Sequence, residues 1–423
     1  MRLFRGEFLG NLGNLLRSRG LDRRVLLKEF SGETAIELAK AEIKSVGTIQ
    51  SIYCEERNQK AEQGEWYSTA LSRYVESKVK NGSTKADDQN LIQFIDIIKN
   101  DQRDPTNSAV NALPFAAIFG ELSLVELFED EDFDPNEWYR AMGVKPPKPG
   151  SIWLVYEYTG LSTLSNYAQP SLKRWSNLPT KRGIWGNIVP PPALPPWRQR
   201  ARYVVSGVLK GALEAVAVLH ENGIVHRSIG KNSVILSSTE MDSREASSPL
   251  TITTSLLRIK LSDLGFSGLI SESVNDESFR TRARAFKIDT SDKYATSASV
   301  TNFAIAEDLH ALGFVFIAVL LSTLADIPSP SFSVPATDED TLQRLLADIF
   351  EKDMDEFRDY CQAEEIWGKV VDLLDENDGA GWELLKAMCF AREKASEMNN
   401  IKGEIPSFVT ARGLLSSPFF DVK

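Results

Sequence analysis

The pattern of apolar residues changes near Trp197, and this change constrains the fold more than any other feature. Before it, short apolar runs such as VLLKEF (25–30) and SIWLVYEYTG (151–160) are bounded by glycines and prolines, as strands are. After it, apolar residues recur at helical spacing over long stretches, beginning with RYVVSGVLKGALEAVAVLHENG (202–223). A chain of 423 residues in this order is predicted to be an α+β protein, with a small β-rich part followed by a larger helical part.

One helix is predicted within the β-rich part, directly after the 25–30 strand. Ile36, Ala39, Ile43 and Val46 recur at helical spacing, acids come early in the segment, and Lys44 comes late. The sequence therefore predicts an amphipathic helix over about 32–47.

Charge and cysteine usage exclude several classes of partner. The net charge is −11 and the pI is about 5.1, which opposes binding to nucleic-acid phosphates. Cys54, Cys361 and Cys389 show no CxxC spacing and are odd in number, so free thiols in a reducing compartment are expected. With only three histidines, a histidine-rich metal site is not expected.

Two segments raise the question of membranes and targeting. Residues 311–324 are strongly apolar, but the run is shorter than the roughly 18–20 residues that span a bilayer, so a buried core helix and no transmembrane segment are predicted. The first two dozen residues are rich in arginine, and an organellar targeting peptide is one interpretation of them. The other is that they begin the fold.

Three segments are predicted to be insertions. They are a long polar stretch at about 47–111, an acidic stretch at about 128–149, and a Pro/Trp-rich stretch at about 170–197. Each is interpreted either as a solvated loop or as a surface that binds a protein partner.

Four motifs occur in a characteristic order. They are VHRSIGKNSVIL (225–236), LSDLGFSG (261–268), AEDLHALG (306–313) and TARGLLSSPFF (410–420). Together with the lysine-bearing strand and the helix after it, they resemble the catalytic loop, metal-binding DFG motif, buried central helix and terminal helix of the protein kinase superfamily. The resemblance implies a two-lobed kinase-like fold, with an N-lobe over 1–158 and a helical C-lobe over 159–423.

The resemblance also implies a nucleotide site. Lys28 corresponds to the strand lysine that contacts the α- and β-phosphates, and Glu42 is its predicted helix partner, with Glu37 as the competing candidate. Asp263 corresponds to the magnesium-binding aspartate. Gly10 and Gly13 match part of the glycine-rich loop, and Glu157 completes the predicted nucleotide-binding residues. ATP and Mg²⁺ are the implied ligands.

The catalytic loop departs from the family pattern at three positions. Ser228 replaces the base aspartate, Gly230 the phosphate-neutralising lysine, and Ser233 the second metal-binding asparagine. Loss of a general base alone typically costs on the order of 10²–10⁴ in rate. The family's APE glutamate is also absent, and Phe408 occupies the position of its arginine partner, although a misaligned loop would give the same result.

These departures predict a pseudokinase that acts as an interaction, scaffold or regulatory protein. They are compatible with nucleotide binding. The alternatives are a divergent but active protein kinase and, with less support, a small-molecule phosphotransferase of the same fold. The expected partner is a protein, and the expected compartment is intracellular, either the cytosol or an organelle interior such as a plastid.

Overall fold

The computed structural model describes most of the helical part of the chain and selected elements of the β-rich part. The described residues are 2–7, 24–42, 44–45, 118–123, 152–158, 160, 162–168, 196–238, 254, 256–290, 298–327, 334–399 and 409–422. The chain divides into two compact units, Met1–Thr159 with Asp263–Ser267, and Gly160–Ser262 with Gly268–Lys423. Helix and strand both occur and helix predominates, so the predicted α+β composition is confirmed.

An antiparallel sheet forms the frame of the first unit. Its strands are β1 (Arg2–Glu7), β2 (Arg24–Phe30), β3 (Ile118–Ser123) and β4 (Ile152–Glu157), in the order β1-β2-β4-β3. In the register of β2 against β4, Leu26 lies opposite Tyr156 and Lys28 opposite Leu154. Because side chains alternate between the two faces of a strand, these four residues share one face, and all four are buried.

Helix α1 (33–42 and 44–45) follows β2 as the sequence predicts. The chain turns at Gly32, whose φ of 90° favours glycine, and the Gly32 carbonyl accepts the first helical hydrogen bond from the Ile36 amide. Ala39, Glu42 and Ser45 are buried along one face of the helix. A carboxylate therefore lies in the stripe that is expected to be apolar.

The second unit contains the remaining elements in chain order. They are α2 (Leu164–Tyr167), α3 (Trp197–Glu221, π-helical at Tyr203–Leu209), β5 (Ile224–Val225), β6 (Val234–Ser238), β7 (Leu257–Leu261), β8 (Gly268–Leu269), α4 (Glu277–Ala285), α5 (Ala298–Thr323), α6 (Glu339–Arg344, continuing as a π turn over Leu345–Ile349), α7 (Met354–Ala363), α8 (Gly368–Cys389, kinked at 376–379, where the backbone is not helical), α9 (Ala391–Asn399) and α10 (Ala411–Leu414). Short 3₁₀ turns cover Ile270–Asn275, Glu365–Trp367 and Pro418–Phe420, and another, Leu264–Phe266, lies in the first unit. The strands pair as β5 with β8 and β6 with β7, both antiparallel.

Helix α5 is the central helix of the second unit, and it is longer than the sequence indicates. It begins at Ala298, well before the apolar run at 311–324, so the argument that this run is too short to span a bilayer was wrong. By length and composition alone, α3 and α5 could each cross a membrane, but 72% and 89% of their most apolar windows are buried within the fold. Burial of this kind is typical of a core helix.

The segment after the LSDLGFSG motif is ordered, although its Ser/Thr-rich composition predicts a mobile loop over about 267–299. It contains β8, a 3₁₀ turn and α4. The Asp276 side chain caps α4 by accepting from the Ser278 amide, and Phe279 packs its ring 5.7 Å from that of Phe303 on α5. The loop prediction was therefore wrong for 268–285.

Several predicted features lie outside the described residues. These are Gly10, Gly13, Phe408, the insertions at about 47–111 and 128–149, and nearly all of the insertion at about 170–197. Trp197, the last residue of that third insertion, is the first residue of α3.

Candidate functional site

The ammonium of Lys28 forms the centre of a buried polar cluster in the first unit. Its Nζ atom lies 2.9 and 2.7 Å from the two carboxylate oxygens of Glu42, and 2.9 Å from Oδ1 of Asp263. An ammonium carries three hydrogens, so all the donors of Lys28 are used within the protein. Glu37, the competing candidate, instead pairs with Lys40 on the exposed side of α1.

Tyr156 completes the cluster, and it was not among the residues predicted for the site. Its hydroxyl donates to Oε1 of Glu42 at 2.6 Å, and both residues are almost fully buried. Burial, followed by the charge of Glu42, raises the pKa of Tyr156 well above its usual value, so the phenol stays protonated as a donor. The signal that could have found Tyr156 is strand register, because it shares the buried sheet face with Lys28.

Asp263 is held in place by the backbone around it. Its φ of 64° is left-handed, a conformation that aspartate tolerates better than most residues. A Cβ atom at Gly265 would lie 3.2 Å from Leu38, so the turn packs tightly against α1. The Ser267 hydroxyl donates to Ser45 at 2.7 Å. The side chain of Asp263 is 35% exposed, and its Oδ2 atom bonds to none of the described residues.

The charges of the cluster decide which ligand it fits. One ammonium faces two carboxylates, so a polyphosphate without a cation would be repelled. A hard divalent cation suits the outward oxygen of Asp263. The residues therefore fit a magnesium-bound polyphosphate, with Asp263 holding the cation. Lys28 would reach a phosphate oxygen only by exchanging one of its present bonds.

The loop at 226–233 belongs to the second unit and is anchored by Asp308 of α5. The carboxylate of Asp308 accepts from the backbone amides of His226 at 2.7 Å and Arg227 at 2.8 Å, and it lies 3.0 Å from the ring of His220. Burial would raise the pKa of Asp308, but these bonds and the adjacent imidazoles hold it below its usual value. Arg227 adopts a left-handed φ of 65°, which this anchoring supports.

Both ring nitrogens of His226 form hydrogen bonds with backbone groups of the second unit. Its Nε2 atom donates to the carbonyl of Ser262 at 2.9 Å, and Nδ1 accepts from the Ser228 amide at 3.3 Å. The Ser228 side chain is exposed, and its hydroxyl bonds to no other described residue. His226 therefore has no lone pair with which to activate Ser228.

Ser233 is folded back into the loop. Its hydroxyl donates to the carbonyl of Gly230 at 2.9 Å and accepts from the Gly230 amide at 3.0 Å, while only 3% of the residue is exposed. These two bonds close a short turn, so the oxygen at the asparagine position is used by the backbone. A Cβ atom at Gly230 itself would meet nothing within 4 Å.

Among the described residues of the second unit, the acidic groups that contact this loop are all paired. Asp308 binds two loop amides, and Asp276 lies 3.5 Å from Arg227 while capping α4. Glu339 forms an ion pair with Lys231 at 2.9 Å. Lys231, the residue directly after Gly230, is therefore held by a carboxylate as well.

An ion pair fastens α4 to α5. Arg282 donates two hydrogen bonds to Glu307, at 2.6 and 3.0 Å, and Glu307 is only 9% exposed. The hydrogen bonds that Arg282 donates to Glu307 raise the pKa of Arg282.

The structure thus brings Lys28, Glu42 and Asp263 together, and it places Ser228, Gly230 and Ser233 in one loop. Glu157 is the last residue of β4. The roles of Lys28, Glu42, Asp263 and Glu157 in nucleotide binding remain predictions. The loss of catalytic groups at Ser228, Gly230 and Ser233 remains a prediction as well. Among the described residues, no group of three or more His, Cys, Asp or Glu side chains could hold a metal ion.

Comparison with known proteins gives similarity to solved structures, at low sequence identity. No protein-family model matches the chain, and no curated protein matches it. Among solved structures, the chain is similar to a Stt7 homologue from Micromonas algae, determined after soaking with ATP, at 18% identity and a TM-score of 0.38. The match covers 66% of this chain and 70% of the other. The interpretation of the site therefore rests on its own residues and contacts.

Proposed function

We propose that this chain is a pseudokinase, a protein with a two-lobed kinase-like fold that acts by binding and does not transfer phosphate. The observation that carries the proposal is the pair of hydrogen bonds between the Ser233 hydroxyl and the backbone of Gly230. In a working kinase, a side chain at this position faces a metal ion. Here the serine is buried and used to close the loop.

The loop also lacks a proton acceptor. Phosphate transfer to a hydroxyl group needs a group that accepts the hydroxyl proton, and an unactivated serine does not do this near pH 7. Ser228 is exposed without a partner, and the carboxylates that touch the loop are paired with amides or cations. Among the residues that the structure describes in the second unit, no unpaired carboxylate contacts this loop, and this supports the loss of transfer.

A magnesium-bound nucleotide is the proposed small ligand. Asp263 offers a carboxylate oxygen to the cation, and Lys28 lies beside it in the first unit. When bound, the cation would neutralise phosphate charge, and the residues of the chain would hold and orient the nucleotide without reacting with it. The proposed partner is a protein, with the insertions at about 47–111, 128–149 and 170–197 as candidate surfaces.

A divergent but active protein kinase is the second candidate. It is favoured by the intact Lys28–Glu42 pair and by the unused oxygen of Asp263, because these contacts support phosphate binding in active members of the superfamily. The two candidates share a nucleotide site and differ in what happens to the γ-phosphate.

Radiolabelled phosphate transfer distinguishes these candidates. The natural chain and the Asp263→Asn variant are incubated with labelled ATP and Mg²⁺, and label is measured in the chain itself and in an added protein acceptor. The pseudokinase predicts no label above the blank with either protein. Label that appears with the natural chain and disappears with Asp263→Asn would establish the active kinase. A thermal-shift titration with Mg²⁺-ATP tests binding separately.

A further inference from the structure

The hydroxyl of Tyr156 controls how many hydrogen-bond donors Lys28 can offer to a ligand. Lys28 directs two of its three hydrogens to Glu42 and the third to Asp263. Both oxygens of Glu42 can face a single ammonium only in one orientation of the carboxylate. Tyr156 donates to Oε1 at 2.6 Å and fixes that orientation.

The cluster is closed on the side of the sheet and of the helix. Lys28, Glu42 and Tyr156 are each no more than 2% exposed, and the Lys28 ammonium lies 5.2 Å from the centre of the Phe30 ring. Water therefore cannot readily replace any of these bonds, and a phosphate oxygen would have to displace one of them.

We propose that Tyr156 acts as an internal brake on nucleotide binding, because it holds Glu42 with both oxygens on Lys28 and leaves no hydrogen of Lys28 for a phosphate. This inference rests on the proposed nucleotide site and adds the residue that sets its affinity. Without the hydroxyl, Glu42 can rotate to bind Lys28 through one oxygen. One ammonium hydrogen is then released for a phosphate oxygen of the ligand.

The expected effect follows from the strength of the released bond. A hydrogen bond from a charged donor changes a dissociation constant by about tenfold or more, which corresponds to about 1.4 kcal/mol. Tyr156→Phe should therefore bind Mg²⁺-ADP at least about tenfold more tightly than the natural chain, even though it loses a hydrogen bond.

Isothermal titration with Mg²⁺-ADP tests this in matched variants. Tyr158→Phe is the control, because Tyr158 is also almost fully buried and lies two residues after Tyr156, just beyond the end of β4. Its affinity should equal that of the natural chain. Tyr156→Phe combined with Lys28→Met should lose the gain, because the released donor no longer exists. Tyr156→Met, which preserves bulk without a hydroxyl, repeats the test if the phenylalanine variant does not fold.

The outcomes separate this inference from the proposed function. Equal or weaker binding by Tyr156→Phe, or an equal gain in Tyr158→Phe, overturns the brake while leaving the pseudokinase in place. Absence of binding by every variant overturns it as well. Phosphate transfer by the natural chain would overturn the proposed function, whatever the affinities of the tyrosine variants.

Discussion

The ammonium of Lys28 lies 2.9 Å from the carboxylate of Asp263, a residue 235 positions later in the chain. This ion pair, and the close packing of Gly265 against Leu38, explain why Asp263–Ser267 belongs to the first unit although its neighbours on both sides belong to the second. The lysine therefore has a structural role as well as its proposed role in ligand binding.

Replacing Lys28 should destabilise the protein strongly. Lys28→Met leaves Glu42 buried without its counter-charge, and removal of one partner of a buried ion pair typically costs about 3–5 kcal/mol. Urea denaturation measures the loss. Lys40→Met is the matched control, because Lys40 pairs with Glu37 on the surface, and it should change the free energy of unfolding by less than about 0.5 kcal/mol. Similar effects from the two variants would refute the structural role of Lys28.

Replacement by alanine should lower the free energy of unfolding much more at Ser233 than at Ser228. Ser233→Ala removes both side-chain hydrogen bonds to Gly230, and although the Gly230 carbonyl keeps the Ser233 amide as a donor, the partly buried Gly230 amide loses this acceptor, which should cost about 1–2 kcal/mol of unfolding free energy. Ser228→Ala should cost less than about 0.5 kcal/mol, because that hydroxyl is exposed and has no partner among the described residues. A neutral Ser233→Ala variant would show that this serine does not hold the loop.

The pair between α4 and α5 should contribute measurably to stability. Arg282→Ala leaves Glu307 buried without these two bonds, and because Arg282 is partly exposed the expected loss is only about 1–2 kcal/mol. Arg284→Ala, on the same helix, removes an exposed contact with Glu277 and should be nearly neutral. Thermal unfolding of the two variants should therefore give clearly different midpoints, and equal midpoints would contradict the assignment.

Local patterns made the Lys28 strand, helix α1 and the order of the motifs predictable from the sequence. Each depends on residues close together in the chain, such as the apolar spacing of α1 or the acids at its first turn. The pairing of Lys28 with Glu42 was predictable too, because strand and helix are consecutive and the family pattern supplies the partner.

Long-range contacts were not predictable in the same way. Tyr156 could be placed beside Glu42 only with the register of β2 against β4. Helix α4 is polar along most of its length and resembles a loop, but Phe279 and Ala283 are buried and Asp276 caps its start. The first turns of α5, over 298–305, were not predicted, because the motif that resembles the start of the buried helix begins only at Ala306.

Stability should fall as the pH decreases from about 6.5 to about 4, in part because of His310. Burial, followed by the positive charge of Arg392, lowers the pKa of His310 to about 4, while the carbonyl of Cys389 and Glu393 oppose the shift and Lys352 adds to it. The unfolded chain binds this proton from about pH 6.5 downwards, whereas the folded chain does not, so acid favours unfolding. At pH 5 the cost is about 2 kcal/mol, and above pH 6.5 it vanishes.

His310→Gln should remove this part of the pH dependence. Urea denaturation at pH 7 and at pH 5 gives the difference in unfolding free energy for each protein, and the variant should show the smaller difference. Asp308 does not affect the difference between pH 7 and pH 5, because its pKa is lowered and its contribution to the free energy of unfolding is lost only below about pH 4. An unchanged difference in the variant would exclude His310 as the source.

The central claim is that this loop cannot transfer phosphate, and a single-turnover measurement tests it most directly. The natural chain, in excess over labelled Mg²⁺-ATP and with a protein acceptor present, is sampled over time for loss of the γ-phosphate. Active kinases turn over at about 1–100 s⁻¹, and loss of the base alone costs about 10²–10⁴, so the predicted rate is below about 1 s⁻¹. Transfer at about 1 s⁻¹ or faster that is abolished in Asp263→Asn would contradict the claim.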